Sequence, residues 1–343
     1  MAIPETEGRE GPAGACDGGY RVQELCRRHS FEEVAYLLWH GELPTREQIS
    51  AQNRAERAQR ALDPVIAAAV ACQPATAHTM DTLQTMVSLL GASDPAEHET
   101  APAPVHAEVL RLFAVLPTII AMDQRRRHGL GAVAPRDDLS YAANFLYMTF
   151  GKVPEPQIVA TFETSLILYA GYSSNAPTTT PRAVTSASTS IYSAVAAAIG
   201  VLKASPHAGA SEAVVEMINE IAIPDNVNPW REEALAAGRK IAGFGHRLDK
   251  GGDPRVPAMR AALGMIAAHR RGEHLLEIYD ALAAAMHEAE GRRPSLDYPA
   301  GPAYHLIGFD GPTFTPITVA ARLPGWTARI AEQLAVYSMA SVR

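Results

Sequence analysis

Three short stretches of the chain combine Gly, Pro, His and Asp without apolar periodicity: SPHAG (205–209), GFGHRLDKGGDPR (243–255) and PSLDYPAGPAYH (294–305). Loops of this kind, carried on a rigid scaffold, are where chemistry is usually placed. They hold His207, His246 and Asp297. Singly, each has an ordinary reading: His207 beside Pro206 can cap a following helix, His246 can fill a turn, and Asp297 can start a helix. Jointly, two histidines and a carboxylate flanked by glycines supply a general base and two polarising groups. That set can remove a proton next to a thioester and stabilise the resulting enol.

Such residues need elements to hold them, and the sequence between the loops is helical in texture. SFEEVAYLLWHGELP (30–44) spaces its apolar residues by three and four, begins with a Ser cap and an acidic first turn, and stops at Gly and Pro. Similar patterns occupy 80–92, 106–127, 139–151, 156–171, 186–204 and 210–222, and the helical texture continues through 257–291. Strand alternation is nearly absent, so an all-α fold is expected. The length of 343 residues is compatible with two domains.

Composition narrows the class of function. A net charge of −7 offers no general attraction to nucleic acid. The short run Arg125-Arg126-Arg127-His128 reads first as a solvated helix end and second as a place to meet a phosphate-bearing ligand. Three cysteines, Cys16, Cys26 and Cys72, form no CxxC or Cys/His metal spacing, so neither disulfides nor zinc are expected. No apolar run is long enough to span a membrane. The acidic, Gly- and Pro-rich residues 1–19 read as a loose leader of a cytoplasmic protein.

Five stretches, SFEEVAYLLWHGELPT, SPHAGASEAV, IAGFGHRLDKGGDPR, LDYPAGPAYHLIG and FTPITVAARLPGWTARIAEQ, resemble in their order the citrate synthase family, including its 2-methylcitrate synthase branch. The resemblance runs from about residue 20 to 334. It implies a homodimer of all-helical subunits, each with a large domain (1–204 and 306–343) and a small domain (205–305) that carries the catalytic loops. It implies condensation of an acyl-coenzyme A with a keto acid, followed by thioester hydrolysis, with no cofactor beyond the coenzyme A thioester that is itself a substrate. By position, His207 matches the histidine that holds the thioester oxygen, Asp297 the base and His246 the group that polarises the ketone. Arg255 and Arg322 match the residues that hold the keto acid's carboxylates, as suits a guanidinium fork. For Arg255 the competing reading is a surface pair with Asp253. Gly243, Phe244 and Gly245 match the turn that meets the adenine end of coenzyme A, although glycines there also suit a tight turn.

Two departures concern the keto acid. Where the family reads Asp-His-Glu-x-Asn-Ala-Ser, this chain has GYSSNAP (171–177), so Tyr172 replaces a histidine that grips the keto acid, while Asn175 is kept. Near its end the chain has LAVYSMASVR in place of an Arg-Pro…Tyr tail. Each lost charge-assisted hydrogen bond costs about 1.5 to 3 kcal/mol, so two weaken binding of a dicarboxylate by roughly a hundredfold or more. The expectation is therefore a condensing enzyme with altered keto-acid choice, of 2-methylcitrate or alkylcitrate type. The competing readings are a catalytically silent relative that binds a ligand or partner, and hydrolysis of acyl-coenzyme A without condensation.

Overall fold

A computed structural model of the chain describes residues 16–17, 19–94, 105–171, 190–205, 208–244 and 252–340. Among these the fold is helical: α1 (Val22–Arg28), α2 (Phe31–His40), α3 (Arg46–Arg57), α4 (Pro64–Ala71), α5 (Thr79–Ala92), α6 (Val105–Arg127), α7 (Tyr141–Phe150) and α8 (Pro156–Ala170). There follow α9 (Ile191–Lys203), α10 (Ala210–Ile221), a 3₁₀ turn (Pro224–Asn226), α11 (Val227–Ala236), α12 (Val256–Arg270), α13 (Glu273–Glu290), α14 (Asp297–Ile307) and α15 (Gly311–Ala340). The exception straddles the end of the expected leader, where β1 (Cys16–Asp17) pairs antiparallel with β2 (Tyr20–Arg21). Gly19, at φ +90°, lets the chain return over so short a connection.

Local chemistry explains the helices that the pattern marks. In α2 the Ser30 side chain accepts from the Glu33 amide and Glu33 accepts in return from the Ser30 amide, a reciprocal cap. Gly41, at φ +80°, ends the helix in the left-handed region. The helical texture through 257–291 resolves into two helices, broken at Arg271 (φ +56°) and Gly272, where a Cβ would lie 2.7 Å from Leu306 of α14. One expectation needs correction: the stretch 294–305, expected as a loop, contains most of α14. Its residues from Tyr298 to Tyr304 are all buried, so no polar face betrays the helix, and its prolines and glycine suggest a turn.

The long α15 is the central element. It packs along α8 and α6, with α2, α9, α5 and α10 around it. Phe314, Ile317, Val319, Ala320, Ala321, Leu323, Trp326 and Ile330 are all buried, as befits a helix apolar on most sides. Stacked Phe113 and Tyr141, with ring centroids 4.4 Å apart, extend this core between α6 and α7. Among the described residues no helix is long and apolar enough to cross a membrane, and no group of His, Cys, Asp and Glu could hold a metal ion.

The basic run at the end of α6 is used internally. Arg125 donates to the carbonyls of Gly131 and Thr149, and Arg126 to Asp123 and to the Gln73 carbonyl. Arg127 pairs with Asp123 and Asp310, and His128 meets Asp310 as well. Burial alone would raise the Asp310 carboxyl, but hydrogen bonds from Arg127 and Thr313 hold it below its ordinary range. The arginines therefore fasten α6 to the start of α15, a correction to the solvated helix end that the sequence suggested.

Two buried charge arrangements give testable stabilities. Arg60, 1% exposed, pairs at 2.8 Å with Glu56, 2% exposed, and donates to the carbonyls of Arg136 and Leu139, so it ties α3 to the connection before α7. Arg60→Met leaves the Glu56 carboxylate buried and unpaired and should cost about 3 to 5 kcal/mol. Urea unfolding checks this, and a further Glu56→Leu change should restore much of the loss. Glu163 is different: burial, then the Glu32 and Glu33 carboxylates, push its carboxyl up from 4.5 to about 7, against a hydrogen bond from the Phe31 amide. Its contribution is fully present below pH 4.5 and is lost as pH rises to about 7. Glu163→Gln should therefore gain stability relative to the parent between pH 5 and pH 8, as read by denaturant midpoints at each pH.

Candidate functional site

Three residues singled out by sequence meet around the last turn of α8. Asp297 opens α14, where a carboxylate is favoured by the helix's positive end. Its Oδ1 accepts a 2.6 Å hydrogen bond from the Tyr169 hydroxyl, and the Ser211 hydroxyl of α10 stands 3.4 Å from the same oxygen. Among the described residues Oδ2 has no hydrogen-bond partner. Tyr169 is itself buried. Burial, reinforced by the Asp297 charge, pushes its phenol far above the ordinary value, so it stays protonated and donates.

Arg322, in the middle of α15, lies with its guanidinium carbon 5.9 Å from the centroid of the Tyr169 ring. It is recessed but still reached by solvent. Removal from water pushes its guanidinium below the ordinary value, while Asp297 and Tyr169 act in the opposite direction and Arg255 adds to the fall. Among the described residues it makes no hydrogen bond and no ion pair, so its fork is open to a carboxylate. Arg255, just before α12, is not the surface residue that the competing reading supposed: it is 5% exposed. Its partner is the expected one, because Nε and Nη2 donate to the two oxygens of Asp253 at 2.9 and 2.7 Å. Nη1 reaches the Leu168 carbonyl at 3.4 Å, one residue from Tyr169.

Backbone contacts fix these positions. A Cβ on Gly301 of α14 would collide with the Ser211 carbonyl, and a Cβ on Gly325 of α15 with the Ala170 carbonyl at the end of α8. Each glycine thus permits a close helix approach that sets Asp297 and Arg322 in place. Gly243 needs its residue type twice over: φ is +79°, and a Cβ would lie 2.8 Å from Tyr298 and 2.9 Å from Val214. The Gly243 carbonyl accepts from the Ser295 amide, Phe244 forms a bridge with Pro294, and its ring lies 4.5 Å from that of Tyr298. The turn is therefore docked beside the start of α14. A second tie crosses from α10 to α15, where the Thr315 hydroxyl donates to Glu212 and accepts from the Gly209 amide. That fixes the backbone two residues beyond position 207. Burial, against the hydrogen bonds from Thr315, leaves the Glu212 carboxyl raised.

His207, His246, Gly245, Tyr172 and Asn175 lie outside the described residues. Tyr169 and Ser211 were missed by sequence reasoning. Tyr169 ends an apolar helix and reads as core, and only its single hydroxyl hints at a polar partner.

Comparison with known proteins follows the same lines. The family described as "Citrate synthase, C-terminal domain" matches residues 16–341. A 2-methylcitrate synthase of Mycobacterium tuberculosis is 50% identical over 315 residues, covering 92% of this chain and 80% of that protein. A citrate synthase of Mycolicibacterium smegmatis is 49% identical, covering 92% and 84%. The crystal structure of citrate synthase from Pyrobaculum aerophilum superposes with a TM-score of 0.85 at 31% identity, over 95% of this chain and 87% of that one.

The two glycine contacts predict the first test of the site. Gly325→Ala and Gly301→Ala should each lose about 1 to 3 kcal/mol from overpacking. The displaced helices should also disturb the Tyr169–Asp297 hydrogen bond, so both variants should lose activity by more than their unfolded fraction accounts for, as measured by chemical unfolding beside turnover.

Proposed function

The chain belongs to the citrate synthase family and is a condensing acyltransferase that joins an acyl-coenzyme A to a keto acid, and from that premise we propose the part that each residue takes. Asp297 is the base. Its Oδ2 takes the proton from the acyl α-carbon, and the electron pair left behind forms the enolate. His207 donates a hydrogen bond to the thioester oxygen as charge collects there. The α-carbon attacks the ketone carbon, and His246 gives a proton to the ketone oxygen. Water then cleaves the thioester, releasing the free acid and coenzyme A. The observation that carries this reading is a carboxylate with one oxygen anchored and, among the described residues, the other without a hydrogen bond, beside a recessed arginine that makes no hydrogen bond or ion pair among those residues.

The grip on the keto acid falls first on Arg322. Arg255 carries its own counter-ion in Asp253, so its part in holding the keto acid is secondary. With Tyr172 where the family has a cationic histidine, the second carboxylate of a dicarboxylic keto acid has lost a charged partner. We take the substrates to be those of a 2-methylcitrate or alkylcitrate type of enzyme, with acetyl- or propionyl-coenzyme A as acyl donor. Gly243, Phe244 and Gly245 would border the adenine end of coenzyme A, and Asn175 the keto acid. A cytoplasmic homodimer that needs no further cofactor, with a large domain of 1–204 and 306–343 and a small one of 205–305, completes the proposal.

Purified protein mixed with acetyl- or propionyl-coenzyme A and a panel of keto acids should release free thiol only when a keto acid is present. Asp297→Asn should lower that rate by at least about a hundredfold, in the range of a lost general base. In deuterium oxide with a keto-acid analogue, the parent should wash deuterium into the acyl α-carbon and the variant should not. No thiol release and no exchange across the panel would sink the proposal, and release without a keto acid would favour plain hydrolysis.

A further inference from the structure

Resting on that reading, we infer that Tyr169 is a positioning residue for both halves of the reaction, its hydroxyl orienting the Asp297 base and its ring face seating the Arg322 guanidinium. The two contacts use different parts of one side chain. The hydroxyl donates to Oδ1 of Asp297 at 2.6 Å, and the Ser211 hydroxyl stands 3.4 Å from the same oxygen. Both donors converge on Oδ1, so rotation of the carboxylate is restricted and the oxygen left for the substrate proton is Oδ2. The ring, 5.9 Å from the guanidinium carbon of Arg322, supplies the cation–π contact that this arginine has, among the described residues, in place of a hydrogen bond or ion pair.

The side chain suits this work because it is enclosed by packing. Tyr169 is 2% exposed and lies in the last turn of α8, whose Leu168 carbonyl receives Arg255 and whose Ala170 carbonyl abuts Gly325. Its proton stays in place throughout. The α-carbon loses its proton to Oδ2 of Asp297, while burial and the adjacent carboxylate hold the phenol far above its ordinary value. Tyr169 therefore neither gives nor takes a proton, and its effect passes through the groups that do. A residue shared between proton removal and carboxylate seating places the enolate carbon and the ketone in one frame, which is what a condensation needs over and above deprotonation.

The two contacts can be separated by substitution. Tyr169→Phe keeps the ring and removes the hydroxyl; Tyr169→Leu removes both. With propionyl-coenzyme A in deuterium oxide, and with oxaloacetate and pyruvate as the keto acids, Tyr169→Phe should slow α-deuterium exchange and kcat by roughly ten- to a hundredfold, the worth of one hydrogen bond to a charged group. Its KM for the keto acid should stay within about twofold of the parent. Tyr169→Leu should show the same slowing and a further rise of roughly three- to tenfold in that KM. Thermal unfolding of each variant separates these effects from misfolding, which would lower the active fraction without splitting kcat from KM. An active parent whose Tyr169→Phe variant exchanges at the parental rate, or whose two variants share one KM, overturns the positioning role alone. A parent that neither exchanges nor condenses overturns the reading of the site, and this inference with it.

Discussion

The contact of α15 with the end of α8, backbone against backbone at Gly325 and the Ala170 carbonyl, is the constraint from which the site's geometry follows. A helix end offers free carbonyls and a fixed direction. Here those carbonyls receive Arg255 and abut α15, while the preceding tyrosine points to Asp297. Three segments distant in sequence, the start of α12, α14 and α15, therefore converge on three successive residues, Leu168, Tyr169 and Ala170. The second close approach, Gly301 of α14 against Ser211 of α10, sets the base from the other side. Interiors packed at crystal-like density transmit such contacts with little slack.

Away from the site, the scaffold carries buried charge, and each case has a local resolution. Glu56 is met by Arg60, Glu32 accepts from the Tyr141 amide, and Glu163 accepts from Phe31 and is pushed toward its neutral form. The cations at the end of α6 are spent on carbonyls and on Asp123 and Asp310. Arg322 differs from these in lacking any such partner among the described residues. That contrast marks it as a ligand-facing residue more clearly than its burial does.

Elements written in local chemistry could be read from the sequence. Ser30, Glu33 and Gly41 define α2 within a dozen residues, and the Asp253–Arg255 pair is separated by two positions. The helix α14 could not be read, because burial on every side removes the polar face that periodicity depends on. Asp297 was legible as a type of residue in a suggestive setting, and the resemblance gave it a part. Its partner Tyr169 was not, since 128 positions separate the two and only the packed fold brings the hydroxyl to the carboxylate.

The Asp253–Arg255 pair has a bearing on how an anion meets this cleft. An arginine that brings its counter-ion within two residues forms an electroneutral unit, and the charge of Asp297 acts on Arg322 without an ion pair between them. The described part of the cleft is thus a set of oriented dipoles and not a pool of positive charge. It discriminates by the direction of its donors, so a ligand is selected by the shape in which it presents oxygen atoms. Long-range electrostatic capture has little to act on there, and ionic strength should touch the encounter only weakly.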